Sequence, residues 1–251
     1  MLSKILNAVL PNRNANKLNP QTATAAEIKS FFDKYNHENH EMIAQFKFAF
    51  ENVDTIFDIG GNAGYFSRAL LDTGYSGHIV LFEPIKNLHD VSKTTLKDAN
   101  AKIEFVNAAL SDEDGVLEMY MPHDGNIGWI TAVKSKAKTS QVVTAPKLDA
   151  KPQFEKHRPG FIKIDVEGFE AFILEPLTAV VNEAYKPSIF VELGWGVRNP
   201  NWARTVACLK RLEALGYKAA DPTQGFEIVD FKCVYTAKKT QDILFWAPSD
   251  V

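Results

Sequence analysis

From residue 53 onward the chain alternates short apolar runs with helical stretches, and that rhythm sharply limits the folds open to it. The apolar runs are Thr55–Asp58, His78–Glu83, Ile103–Asn107, Phe161–Asp165, Ser188–Glu192 and Asp242–Ala247. Helical spacing fills the intervals near residues 64–73, 86–99, 169–184 and 201–215. The last interval opens with Asn199 as its cap and Pro200 in its first turn, and Gly216 stops it. Nearly all-apolar strands are typical of sheets covered on both faces. The pattern predicts an α/β domain with a mostly parallel sheet and helices on each side.

One stretch departs from the rhythm. Val116–Met121 and Ile127–Val133 read as a hairpin around residues 122–126, followed by a loop carrying Lys134, Lys136 and Lys138 and a strand-like run from Gln141 to Ala145. This is expected to be an insertion over one sheet edge. Such a lysine run is more often a solvated loop than an anion site.

The first 50 residues are expected to form a helical appendage, and residues 51–251 the main domain. Met1–Leu10 holds a short apolar stretch, and residues 11–23 read as a linker. Thr24-Ala-Ala-Glu27 spells a capping box ahead of Ile28, Phe31, Phe32, Tyr35, Met42, Ile43, Phe46 and Phe50 at helical spacing. His37 and His40 fall on one helix face and read as solvated.

Composition excludes some functions. With 28 basic and 31 acidic residues the formal net charge is −3, which gives no long-range pull toward nucleic acid. No apolar run reaches the ~18 residues of a transmembrane segment. Cys208 and Cys233 read as free buried thiols, in a helix and a strand respectively. The expected setting is cytoplasmic.

The chemistry concentrates in Asp58-Ile-Gly-Gly-Asn-Ala-Gly64-Tyr-Phe, which ends a strand and opens a helix. Glycines permit a sharp turn and close approach of a ligand. A helix N-terminus offers free N–H groups to an anionic group. Asn62 replaces the central glycine of a nicotinamide-dinucleotide fingerprint. Glu83, followed by Pro84, ends the next strand, where an acid can accept both hydroxyls of a ribose. Asp165 and Glu192 end two further strands. With Asp58 and Glu83 they form an acidic rim that suits a cationic sulfonium better than a dinucleotide. These features leave two readings open: S-adenosylmethionine or NAD.

The same residues resemble a known family. Asp58-Ile-Gly-Gly-Asn-Ala-Gly-Tyr-Phe-Ser67, Phe82-Glu-Pro84, Asn107-Ala-Ala-Leu-Ser-Asp112 and Ile162-Lys-Ile-Asp-Val-Glu-Gly-Phe-Glu170 are similar, in order and spacing, to the motifs of FkbM-type methyltransferases over roughly residues 53–195. Gly61 departs from the family's usual alanine. The resemblance implies a Rossmann-like class I fold with seven strands, one antiparallel near the C-terminus. It implies S-adenosylmethionine and usually an O-methyl product, on acceptors that include glycan and polyketide hydroxyls. It implies that Asp58, Gly60, Asn62, Gly64 and Tyr65 line the methionine end and that Glu83 holds the ribose, with Gly61 and Pro84 also among the cofactor-binding residues. Ala109, Leu110 and Ser111 would flank the adenine, with Ser111 or Asp112 near its amino group.

Methyl transfer to a hydroxyl needs a proton acceptor or a metal ion. Asp165, Glu167 and Glu192 are the candidate catalytic residues, ahead of His123 and His157; Asp165 also serves as a candidate cofactor contact. A Mg²⁺ ion on these carboxylates is the less favoured route, because no His/Asp cluster compels it. Trp129, Trp195 and Trp202 could stack on a sugar or anchor the core. The expected function is O-methylation of a sugar, glycan or other small molecule. The alternatives are a nicotinamide-dependent oxidoreductase and a non-catalytic nucleoside-binding protein.

Overall fold

The computed structural model describes residues 22–33, 36–121, 127–134 and 142–248. The expectations for Met1–Leu10, most of the linker, Tyr35, His123, Lys136 and Lys138, and for the side chain of His37, lie outside the described residues.

Two helices open the described chain, α1 (Ala25–Asp33) and α2 (Asn36–Gln45). Then follow β1 (Thr55–Ile59), α3 (Tyr65–Asp72), β2 (His78–Phe82), α4 (Lys86–Thr95), β3 (Lys102–Val106), β4 (Ala109–Ser111), β5 (Gly115–Tyr120) and β6 (Val142–Asp149). The remainder is α5 (Ala150–His157), β7 (Phe161–Ile164), α6 (Ala171–Val180), β8 (Ser188–Leu193), α7 (Trp202–Ala214), β9 (Lys218–Asp221), β10 (Glu227–Ile228), α8 (Phe231–Tyr235) and β11 (Gln241–Trp246). The capping box forms as spelled: Thr24 N–H donates to Glu27 at 2.8 Å and Glu27 N–H to the Thr24 hydroxyl at 3.3 Å.

The main sheet has the order β10-β9-β11-β8-β7-β1-β2-β3. β3, β2, β1, β7 and β8 are parallel, and β11 runs antiparallel to β8 and β9. The seven implied strands are all present, and β10 adds a two-residue eighth at the edge. Side chains alternate between two apolar layers. Phe57, Val80, Ile162, Val191 and Phe245 face Phe154, Leu174, Leu177 and Leu209 of α5, α6 and α7. Ile56, Ile79, Phe161, Phe190 and Leu244 face Phe46, Phe50, Phe66 and Leu70. Residues 42–50 are therefore part of the core. The Phe46 ring stacks on Phe161 and Phe190 at centroid distances of 6.0 and 5.2 Å.

The insertion differs from expectation. β5 pairs antiparallel with β6 from Gly115–Lys147 to Tyr120–Val142, and among the described residues its backbone pairs with 127–133 only at the bridge between Tyr120 and Thr131. Ile127 and Ile130, three residues apart, are both buried in one cluster with Ile85, Leu88 and Tyr65; a two-residue alternation would send them to opposite faces. β6 also pairs in parallel with β4, making a separate three-stranded sheet.

Two smaller expectations are corrected. Cys208 is buried as expected, but Cys233 is exposed and lies on α8, not on a strand. Asp230 caps that helix by accepting the Lys232 N–H at 2.7 Å. Asn201, not Asn199, holds the cap position of α7. Asn199 is instead buried between two loops, its amide donating to the carbonyls of Gly168 and Gly194.

Candidate active site

The strand order reverses between β1 and β7, so their C-terminal ends open the crevice where such sheets bind ligands. The glycine bend follows β1. Gly60 and Gly64 have φ of +74° and +84°, and the N–H groups of Gly60 and Gly61 both donate to the Phe82 carbonyl. A Cβ on Gly60 would stand 1.9 Å from the Asp165 carbonyl oxygen, so only glycine fits. A Cβ on Gly61 would meet the Leu81 side chain at 2.4 Å. The family's usual alanine would thus require Leu81 to shift.

Behind the bend lies a buried lysine to which the motif alone assigns no role. Lys163 projects from β7, 4 % exposed, and donates to the Gly60 carbonyl at 2.7 Å. Its ammonium is 3.3 Å from Asp58 and 3.5 Å from Asp165. Burial opposes its charge, but Asp165 and Asp58 outweigh that and hold its pKa above the ordinary lysine value. Asp58 also accepts the Ser67 hydroxyl at 2.6 Å and is fully buried. It therefore stands beneath the bend, off the walls of the two cavities that flank it.

On one side of the bend is a cavity of about 640 Å³ counting its mouth. Gly60, Asn62, Glu83, Pro84, Ala109, Leu110, Asp165 and Glu167 line it, with Ile130 and Phe169. Glu83 accepts the Asn62 N–H at 2.8 Å and the Ile85 N–H at 2.7 Å. Burial outweighs these bonds and pushes its carboxyl up to about 7. Two backbone donors leave lone pairs on both oxygens for a diol. Ser111 is buried off the cavity, its hydroxyl on Asp112, and Asp112 pairs with Arg204 at 3.1 Å. Neither reaches this cavity's wall.

On the other side is a second cavity of about 840 Å³, lined by Phe31, Phe32, Tyr65, Phe66 and Phe190 and by Asp165, Glu167, Glu192 and Asp242. Tyr65 donates its hydroxyl to Asp33 at 2.6 Å, tying α1 over this cavity. One oxygen from each of Asp165, Glu167 and Glu192 lies within 4.8 Å of the others. Burial, then repulsion from Asp165, raises both glutamates well above the usual carboxylate range. Asp242 is pushed up to about 6, also by burial first. Glu167 sits at φ +50°, and Glu170 rather than Glu167 ties the turn by accepting the Gly168 N–H.

Several expected residues stand elsewhere. Gly64 caps α3 against Ser92, off both cavity walls. Trp195 packs over Gly168, and Trp202 donates to the Tyr235 carbonyl; both are anchors. Neither they nor Trp129 line either of these two cavities, and His157 lies against Phe57. Phe31 and Phe32, read as appendage helix residues, are the aromatic walls. Asp242 joins the acids because β11 pairs it with Glu192, a contact no spacing rule reveals.

No curated protein matches the chain in sequence. Among solved structures, an O-methyltransferase from Bacillus cereus in complex with SAH is similar at 13 % identity and a TM-score of 0.46, covering 97 % of this chain and 94 % of that one. A precorrin-6y C5,15-methyltransferase from Geobacter metallireducens is similar at 10 % identity and a TM-score of 0.43, covering 86 % and 88 %. The Methyltransferase FkbM domain matches residues 58–219, from Asp58 in β1 into the start of β9, and on that match the chain belongs to the FkbM methyltransferase family.

Proposed function

We propose that this enzyme moves the methyl group of S-adenosylmethionine to a hydroxyl oxygen of a sugar, glycan or other small molecule. The observation that carries this reading is that the two cavities share Gly60, Asn62, Gly128, Asp165 and Glu167. The first cavity suits the cofactor: an apolar wall at Leu110 and Ile130 for the base, Glu83 for the ribose, and the bend at Gly60 and Asn62 for the methionine end. The family match favours this over the nicotinamide alternative. The second cavity suits the acceptor, because ring faces pack on the C–H face of a sugar while carboxylates accept its hydroxyls. The shared wall is where methyl carbon and acceptor oxygen would meet.

The reaction is an in-line displacement. The acceptor oxygen's lone pair forms the C–O bond, the C–S pair stays on sulfur, and the hydroxyl proton passes to a carboxylate of Asp165 or Glu167. Holding the two reactants in line contributes several kcal/mol, within the ~7–11 kcal/mol that ideal orientation can supply. A positioned base adds about 10²–10⁴-fold.

A crystal structure with adenosylhomocysteine tests the reading. Its sulfur is expected at the wall between the cavities, with Glu83 on the ribose hydroxyls. A ligand seated in the aromatic cavity, or a ribose remote from Glu83, would overturn it.

A further inference from the structure

The three carboxylates at the cavity junction are poorly compensated. Asp165 leans toward Lys163 at 3.5 Å, and Lys163 is shared with Asp58 and the Gly60 carbonyl. Glu192 is 9 % exposed, and its carboxylate has neither a hydrogen bond nor an ion pair among the described residues. Yet one of its oxygens faces those of Asp165 and Glu167 within 4.8 Å. A buried carboxylate without a partner is costly, and buried charges are ordinarily paired or bound to metals. Glu167 adopts a left-handed φ of +50°, which costs a non-glycine residue about 1–3 kcal/mol. The Thr131 hydroxyl pins that strained residue by donating to the Glu167 carbonyl at 2.6 Å.

We infer that Asp165, Glu167 and Glu192 bind a hard divalent cation, Mg²⁺ or Mn²⁺, at the junction of the two cavities. All three donors are carboxylate oxygens, the ligand type such ions take. Oxygens about 2.0–2.1 Å from a Mg²⁺ ion stand at most roughly 4.2 Å from one another, so the three oxygens would close by at most roughly half an ångström to hold it. All three residues line the aromatic cavity, so an acceptor hydroxyl seated there would lie within reach of the ion. This rests on the proposed methyl-transfer reading and adds to it a role that the three carboxylates share, holding the ion that would hold the acceptor hydroxyl, whose proton still passes to Asp165 or Glu167.

The test uses the full-length protein after treatment with a chelator. Mn²⁺ alone is titrated in, free Mn²⁺ is read by electron paramagnetic resonance, and adenosylhomocysteine binding is measured on the same sample. The expected result is one saturable Mn²⁺ per chain, displaced by Mg²⁺. Glu192→Gln and, separately, Glu167→Gln weaken it by about tenfold or more. Asp98→Asn, on an exposed side chain, serves as control and leaves it intact. Glu192 lines the aromatic cavity and not the other, so Glu192→Gln retains adenosylhomocysteine binding, which also shows that it is folded. Absence of saturable Mn²⁺ in a parent protein that binds adenosylhomocysteine would overturn the ion site and leave the cofactor reading standing. Mn²⁺ binding undiminished in both glutamine variants would also overturn it, since the ion would sit elsewhere. A parent protein that binds no adenosylhomocysteine would sink the cofactor reading, and the ion site would fall with it.

Discussion

Lys163 occupies a position where a lysine is costly, the middle of a strand buried on both faces, and the cost is met by Asp58, Asp165 and the Gly60 carbonyl together. Removing the ammonium would leave Asp58 fully buried beside a carbonyl and a hydroxyl. Lys163→Met is therefore expected to lower stability by about 3–5 kcal/mol in denaturant unfolding; a loss below about 1 kcal/mol would show that the pair is not needed to hold the bend. The glycine spacing and the acid at Glu83 are legible in the sequence because each residue type has a local reason to stand where it does. Lys163 falls inside the same motifs without a local reason of its own, although a charge inside Phe161–Ile164 is the signal of a buried ion pair. Asp58 is legible as important but not as hidden, since strand alternation does not say which face meets a ligand.

At the scale of elements, the parallel strands and their helices are readable from apolar runs and caps, and the Thr24–Glu27 box forms as spelled. β9 is not, because Lys-Ala-Ala-Asp carries no β-branched or aromatic residue. The hairpin expectation fails because Ile127 and Ile130 answer to a cluster with α4 residues, not to a strand partner. The N-terminal helices matter most here. Phe46 and Phe50 complete the face of the sheet that α3 covers only in part, and Phe31 and Phe32 wall the aromatic cavity. Phe46→Ala is expected to cost about 3–5 kcal/mol by thermal or denaturant unfolding. A variant as stable as the parent would mean that the domain stands without this segment.

For the molecule as a whole, the topology gathers acids from distant parts of the chain onto one sheet edge. Glu83, Asp165 and Glu192 reach the cavities as the acidic rim implied, and β11 adds Asp242. Among the described residues no helix is long and apolar enough to cross a membrane. The edge carries more negative charge than Lys163 can balance, which favours a cationic cofactor over a dinucleotide. The account therefore stands on a nucleoside held at Glu83. Because burial pushes this carboxyl up to about 7, it sheds its proton as pH rises through that value. Only the ionised form is a full acceptor for two ribose hydroxyls, so affinity should rise with pH. The direct measurement is calorimetric titration with adenosylhomocysteine, and separately with NAD, between about pH 6 and 8. The account predicts saturable adenosylhomocysteine binding that tightens across this range, little affinity for NAD, and a Glu83→Gln variant that binds at least about tenfold more weakly and loses the pH trend. Tight NAD binding, or a Glu83→Gln variant that holds adenosylhomocysteine as well as the parent at every pH, would contradict it.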